Sequence, residues 1–335
     1  MIGYYIHHQG DGHITRAAAI ADSLRGEAVT GLSSRARPPG WRGDWLELAR
    51  DDEPPAPDGA DRTAGGALHW APSGHPGLRE RMAQIAAWVA THIPRLVVVD
   101  VSVEVTVLIR AMGVPTVVMG MPGARQDRAH QLAYRLADAI IAPWPAWAGC
   151  VLGGGEPWQA KTQPVGAISR FDGRPPTRRR IDRGRPRVVV LSGRGGTGLT
   201  VDMLAAAERA TPAWDWTILG PPGARWVEDP WPVLCDARVI VTHAGQNAIA
   251  DVAATGRPAV VIAQPRPHDE QLATASALHA AQLAVVRTSW PAPEDWSTVL
   301  EAAVRLGGGG WERWSTGRGA ERAAAVLEEL ACAPL

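Results

Sequence analysis

The chain predicts an α/β protein of two domains, each a parallel sheet covered by helices, facing each other across a cleft. Three observations support this. The first half alternates short apolar segments with amphipathic ones, the pattern of strands buried on both faces and their crossover helices. From Gln163 to Pro186 the composition turns to Pro, Gly and Arg, which reads as a linker. Beyond it the alternation restarts at Arg187. At 335 residues the chain exceeds one ordinary core and suits two of about 150 residues each.

In order, strands are expected at Ile2–Ile6, Ala28–Leu32, Leu96–Asp100, Thr116–Gly120 and Ala139–Ala142. Each is a short apolar run bounded by polar, Gly or Pro positions. Helices are expected at Ile14–Leu24, Leu78–Thr91, Val103–Met112 and Arg128–Leu136. The stretch from Ser34 to Gly77 breaks this rhythm, being charged, rich in Pro and Gly, and long for a connection. Such an insert is read as a set of substrate-facing loops, with a disordered flap as the alternative. The first domain thus covers residues 1–165 and the linker 166–186, with the boundary near 175.

The second domain, residues 187–310, opens with a strand at Arg187–Leu191, a glycine-rich turn from Ser192 to Gly198, and a helix over Leu199–Ala210. Further strands are expected at Trp216–Leu219, Val239–Thr242, Ala259–Ala263 and Leu283–Val286. Helices are expected at Ala248–Ala254, Gln271–Ala281 and Pro293–Leu306. A last helix lies within residues 311–335, from about Trp311 to Ala331.

Composition narrows the function classes. Hydrophobic residues make up 46% and charged ones 20%, which is globular and not disordered. Formal net charge is zero, so no global field draws nucleic acid. Cys150, Cys235 and Cys332 are far apart and odd in number, which fits neither a disulfide framework nor a zinc spacing. Met1 to Ile6 already reads as a strand, leaving no room for a signal peptide, and no apolar run approaches the roughly 20 residues of a membrane span. A soluble, cytoplasmic protein is expected. Arg178-Arg179-Arg180 is most simply solvated surface; peripheral contact with an acidic membrane or an anionic acceptor is the weaker alternative. Tryptophan is abundant, 15 against one Phe and three Tyr. Most belong in cores, while Trp41, Trp45 and Trp70 fall in the irregular insert, where stacking on a sugar or acceptor is an option.

The most informative stretch runs from Val239 to Gln271. A buried strand leads into the turn His243-Ala244-Gly245-Gln246-Asn247 and then a helix. The N–H groups and dipole of that helix terminus favour an anion, most often phosphate. Asp251, one turn past Asn247 on the same face, can accept hydrogen bonds from ribose hydroxyls. Phosphate beside ribose implies a nucleotide. As structural alternatives, His243 caps the helix and Asn247 serves the turn.

This stretch resembles the donor-binding region of GT-B glycosyltransferases of the MurG-like and UDP-glycosyltransferase type, which consist of two Rossmann-like domains facing across a cleft. His243, Gly245, Asn247, Asp251, Gly256, Pro258, Glu270 and Gln271 stand in family order. The resemblance implies that His243 and Asn247, with Gly245 and Gln246 in the same turn, hold a diphosphate. It assigns Asp251 to the ribose, and Glu270 and Gln271 to the sugar hydroxyls. The family usually has Glu at the ribose position; Asp251 is one methylene shorter. The resemblance also implies that the final helix returns to the first domain.

Two other glycine turns follow strands. His7-His8-Gln9-Gly10-Asp11-Gly12-His13 lacks the Gly-x-Gly-x-x-Gly dinucleotide fingerprint, since residue 15 is Thr, which argues against a nicotinamide oxidoreductase. It resembles the Gly-x-Gly-His-x-x-Arg/Pro loop of the same family, in which the His faces the acceptor, here His13 beside Gly12. A helix N-terminus keeps an imidazole neutral and able to accept a proton. Asp100, at the end of its strand, is placed to orient it and support its charge. A helix cap is the alternative role for Asp100, with Ser102 competing. His7 and His8 are read as packing residues and Asp11 as the fallback base. The turn from Ser192 to Gly198 partly resembles the MurG-like phosphate loop, which puts Gly193, Arg194, Gly195 and Thr197 on the donor side.

The expectation is therefore a glycosyltransferase moving a sugar from a nucleotide donor, most simply UDP-linked, to an acceptor hydroxyl activated by His13, with inversion implied by the family resemblance. Glu270 and Gln271 suit glucose or N-acetylglucosamine. The acceptor is unassigned; the loops from Ser34 to Gly77, with Trp70, are expected to choose it. No cofactor or metal is called for, and no Asp-x-Asp pair is present. A UDP-sugar epimerase of the same fold and a non-catalytic nucleotide-sugar binder are the alternatives.

Overall fold

The computed structural model describes residues 1–152, 156–175, 184–193, 198–221, 227 and 229–333. The first sheet is built from β1 (Ile2–Ile6), β2 (Val29–Ser33), β3 (Asp44–Glu47), β4 (Leu96–Asp100), β5 (Thr116–Met119), β6 (Ala139–Ala142) and β7 (Thr162–Pro164). Their order is β3-β2-β1-β4-β5-β6-β7, every pair parallel. Helices α1 (Asp11–Ser23), α2 (Pro76–His92), α3 (Val103–Ala111) and α4 (Arg128–Leu136) make the crossovers. The run Leu96-Val97-Val98-Val99 has no solvent exposure, as expected of a central strand covered on both faces.

The second sheet holds β8 (Arg187–Leu191), β9 (Asp215–Leu219), β10 (Val239–His243), β11 (Ala259–Ile262) and β12 (Val285–Arg287), ordered β12-β11-β10-β8-β9 and again all parallel. Its helices are α5 (Val201–Ala210), α6 (Trp231–Asp236), α7 (Gln246–Thr255), α8 (Glu270–Ala280) and α9 (Trp296–Leu306). The final helix, α10 (Gly319–Cys332), lies on the first domain: Ala320, Ala323 and Leu327 share a core with Ile2, Ala17 and Ile20.

Each sheet has a switch point, where strand order reverses and a crevice opens at the carboxyl ends. In the first sheet it falls between β1 and β4, where Ile6 lies opposite Asp100. In the second it falls between β8 and β10, where Leu191 lies opposite Thr242. The turns beginning at His7, Ser192 and His243 therefore all leave sheet edges at switch points.

A single apolar cluster runs from one domain into the other, joining Val118, Ile140 and Trp144 to Ile240, Ile249 and Val261. The backbones also touch. Gly123, after β5, has φ 97°, and a Cβ there would stand 2.0 Å from the His268 carbonyl oxygen of the second domain. No other residue fits that approach.

The insert departs from expectation. Residues 44–47 form β3, an edge strand beside β2. Trp41 is 4% exposed and packs edge-on against Trp45 with ring centroids 5.1 Å apart. Their indole N–H groups donate to the Asp44 and Arg35 carbonyls. Both rings pack over Gly31 of β2; Trp41 is buried there and Trp45 is partly buried against the same core. The final helix begins at Gly319 and not near Trp311, because a tight 3₁₀ turn spans Gly309–Arg313 and buries Trp311 first. Helix α6 and strands β3 and β7 were not expected. Each is too short to show a period.

Candidate active site

The base candidate is built by two strand ends and one helix. Gly10, at φ 82°, turns the chain from β1 into α1 and leaves His13 in the first helical turn. Its Nδ1 is 2.9 Å from Oδ1 of Asp100. Asp100 is fully buried, and the helix-cap role falls to Ser102, whose hydroxyl accepts from the Val105 N–H at 3.1 Å. Val101 between them is held at φ 64°, a costly conformation for a β-branched residue, so the end of β4 stores strain where Asp100 is aimed. With Nδ1–H donated to Asp100, Nε2 of His13 carries the lone pair.

Arg16, one helical turn on, completes the group. Its Nη2 donates to Asp100 Oδ1 at 2.6 Å and its Nε to Oδ2 at 3.3 Å. Burial alone would push the Asp100 pKa up; Arg16 and then His13 outweigh it and hold the carboxyl at about 2. His7 stacks on His8 at 4.9 Å and meets His13 edge-on at 5.8 Å. Burial, with the neighbouring His13 and His8, lowers the His7 pKa to about 3, so the ring is neutral at pH 7. His8 Nε2 lies 3.3 Å from Asp52. Asp11 is paired with Arg35 at 2.8 Å.

On the other side of the cleft, a cavity of about 440 Å³ lies at the carboxyl edge of the second sheet. It is lined by His243, Ile262, Gln264, Arg266 and Trp290, and by Gly198 and Leu199 from the turn after β8. His243 leaves β10 with Nδ1 3.1 Å from the Ile262 carbonyl oxygen, to which Nδ1–H donates, leaving Nε2 as the ring's other polar atom. Burial lowers its pKa. Gly245 precedes α7 as its cap residue, and no side chain caps that terminus. Backbone N–H groups at such a terminus can meet an anion. Gly193 is exposed at the end of β8. Arg194, Gly195 and Thr197 lie outside the described residues, as does Arg178-Arg179-Arg180.

Several residues expected on the donor are engaged elsewhere. The Asn247 side-chain amide donates to the Gly12 carbonyl at 2.8 Å, tying α7 to the first turn of α1 instead of presenting that N–H to a diphosphate. Gln246 Oε1 accepts from Arg16 Nη1 at 2.8 Å. Asp251, 5% exposed, does not line the cavity: Oδ1 accepts from Ser169 at 2.7 Å and Oδ2 from Arg170 at 3.1 Å. One turn along α7 faces it toward the chain leaving β7, so it anchors the linker. Burial raises its pKa despite Arg170 and Ser169. Glu270 meets Arg125 of the first domain at 3.3 Å, and Gln271 accepts from the Gln264 N–H at 3.0 Å, which fixes one wall of the cavity. Trp70 is partly buried; its Nε1 donates to the Asp51 carbonyl at 2.7 Å, near the His8–Asp52 pair.

Among the described residues two groups bring possible metal-ligand atoms together: His69, Asp127 and His130, and His8, Asp51 and Asp52. Neither donor set suits a cation. Arg125 donates to Nε2 of His130, where a ligating histidine needs an acceptor for its second N–H, while Arg81 and Arg50 already pair with Asp51 and Asp52.

Residues 230–292 match the model of the glycosyltransferase family 28 C-terminal domain, a span holding the His243 turn, α7 and most of the cavity wall. No curated protein matches the chain by sequence. Solved structures match it over nearly its whole length. The glycosyltransferase of kitacinnamycin superposes with a TM-score of 0.70 at 18% identity, covering 98% of each chain. MurG of Acinetobacter baumannii gives 0.61 at 16% identity, over 98% of this chain and 99% of its own. UGT2 of Phytolacca americana, complexed with UDP-2-fluoroglucose and pterostilbene, gives 0.60 at 14% identity, over 98% and 93%. The chain has the two-domain GT-B fold of these glycosyltransferases.

The first domain brings His13, Asp100 and Arg16 to the cleft, and the second brings the α7 terminus and the cavity. Sequence reasoning missed Arg16. Its signal was present, since Arg16 occupies the Arg position of the first loop, but only the fold brings Asp100 and Gln246 to the same guanidinium. It also missed the cavity wall from Gln264 to Arg266 and Trp290, which carries no compact motif. Among the described residues no helix is long and apolar enough to cross a membrane.

Proposed function

We propose that this protein is a glycosyltransferase that inverts the anomeric centre of a nucleotide sugar, without a metal, by in-line attack of an acceptor hydroxyl that His13 deprotonates. The observation that carries this is the His13–Asp100 pair at one switch point, set across the cleft from the uncapped terminus of α7 at the other. Nε2 of His13 takes the hydroxyl proton as the oxygen–carbon bond forms, and Asp100, ionised at pH 7, supports the imidazolium. The leaving diphosphate sits at the α7 N–H groups and His243, where helix dipole and donors offset its growing charge. The nucleoside occupies the cavity lined by Gln264, Arg266 and Trp290. A UDP-sugar is the donor we favour, supported by the family 28 domain and by the UDP-2-fluoroglucose held by one structural neighbour.

A thermal-shift panel of UDP-glucose, UDP-N-acetylglucosamine, thymidine diphosphate glucose and GDP-glucose tests the donor. The largest shift is expected with a UDP-sugar, and a larger one with another nucleotide would reassign the base. His13→Ala tests the base: release of UDP from the selected donor should fall by two to four orders of magnitude, with UDP affinity unchanged. Wild-type release by that variant would remove His13 from the chemistry.

A further inference from the structure

We propose that Arg16 is a positioning residue that couples the seated donor to the catalytic base, holding Asp100 with one edge of its guanidinium and Gln246 of the donor helix with another. The inference rests on His13 being the base. Arg16 is 3% exposed and belongs to the first domain, yet Nη1 lies 2.8 Å from Gln246 Oε1 while Nη2 and Nε hold both oxygens of Asp100. A planar guanidinium can serve both partners only in one relative placement of the two domains; a lysine, a point charge on a flexible stem, cannot.

Gln246 is the first residue of α7, directly behind the turn that meets the diphosphate in the proposed function. Its Oε1 is engaged by Arg16, and its Nε2 is buried with no hydrogen-bond partner among the described residues. A buried amide N–H lacking an acceptor is costly. An anionic donor at this terminus supplies the acceptor, so that one amide senses the donor on one side and Arg16 on the other. From Arg16 the connection runs through Asp100 to His13 Nδ1, with Nη2 itself 3.4 Å from that ring nitrogen. The groups facing His13 are thus Asp100, Arg16 and the neutral His7.

The test compares Arg16→Met, Arg16→Lys, Gln246→Leu and the Arg16→Met/Gln246→Leu double variant in the full chain, each checked for folding by its thermal melt. The readouts are UDP release from the panel-selected donor over a range of pH, and UDP binding by calorimetry. Arg16→Met should lower kcat about tenfold to a hundredfold, the worth of hydrogen bonds to a charged group, and change KM for the donor less than about threefold. Its acid limb should move to higher pH, because a cation beside His13 is gone and Asp100 then serves the imidazole alone. A merely structural arginine would leave that limb in place. Gln246→Leu should lower kcat about tenfold with the limb unmoved, and the double variant should be no slower than Arg16→Met.

Arg16→Lys should keep the limb near its wild-type position yet retain the kcat loss. Full multiplicativity of the two single losses, or an unmoved limb in folded Arg16→Met, overturns the coupling. Should Arg16→Met not fold, Gln246→Leu decides, and wild-type kcat there overturns it equally. The two readings fail separately: an active His13→Ala sinks the base assignment. An inactive His13→Ala beside fully active Arg16→Met and Gln246→Leu sinks only the coupling.

Discussion

Asn247 and Gly12 meet across the cleft, the asparagine amide donating to the glycine carbonyl at 2.8 Å. A side chain at the start of the donor helix is thereby tied to the loop that carries the base. The hydrogen bond can form only while the domains are close, and closeness is what excludes water from a glycosyl donor.

Asn247→Ala should therefore act on turnover more than on binding. Calorimetry with UDP should show affinity altered less than about threefold, while UDP release falls about tenfold, the upper worth of one neutral hydrogen bond. A tenfold loss of UDP affinity would return Asn247 to the diphosphate.

Asp251→Ala separates an anchor from a ribose ligand. Removing a carboxylate that is 5% exposed leaves Ser169 and Arg170 without their acceptor, and should cost about 2 kcal/mol of stability in denaturant titration. UDP affinity should stay within about threefold. The reverse pattern, stable protein with lost affinity, would place the ribose on Asp251.

His243 predicts proton uptake on binding. Its Nδ1–H is committed to the Ile262 carbonyl, so Nε2 can donate to a phosphate only if the ring is protonated, and burial disfavours that form in the free protein. A bound diphosphate raises the pKa that burial lowered. UDP affinity should then grow as pH falls through neutrality, and binding enthalpy should vary with the ionisation enthalpy of the buffer. Enthalpies independent of buffer would exclude the contact.

Acid should unfold the protein in part through two neutral histidines. Burial lowers His7 to about 3 and His130 to about 4, the latter despite its hydrogen bond to Asp127. A folded pKa below the unfolded value of 6.5 gives stability that is complete above about pH 6.5 and lost as pH falls toward 3 to 4. The combined loss is on the order of a few kcal/mol. His7→Phe should flatten stability against pH in that window; an unchanged slope would mean that His7 protonates without cost.

Much of the architecture was legible because its signals are local. The apolar run Leu96–Val99 and the strand preceding His243 reveal buried parallel strands by composition alone, and a glycine turn ahead of a helix marks a ligand-binding terminus wherever it occurs. The His13–Asp100 pair could be anticipated because Asp100 ends β4 and His13 follows the turn that leaves the end of neighbouring β1, and adjacent strand ends are neighbours in a parallel sheet.

The rest depended on the third dimension. The family resemblance implied Asn247, Asp251 and Glu270 on one nucleotide sugar. Packing instead gave Asn247 to Gly12, Asp251 to Ser169 and Arg170, and Glu270 to Arg125. Sequence spacing tells which residues share an element, but not which groups from the other domain reach them first. A buried polar atom takes the partner that the closed cleft offers. The chain thus determined its own sheets, turns and helix termini, whose hydrogen bonds and apolar faces are settled within a few residues. Only the tertiary structure decided that Arg16 would join Asp100 to Gln246, since those three residues meet through the docking of two domains.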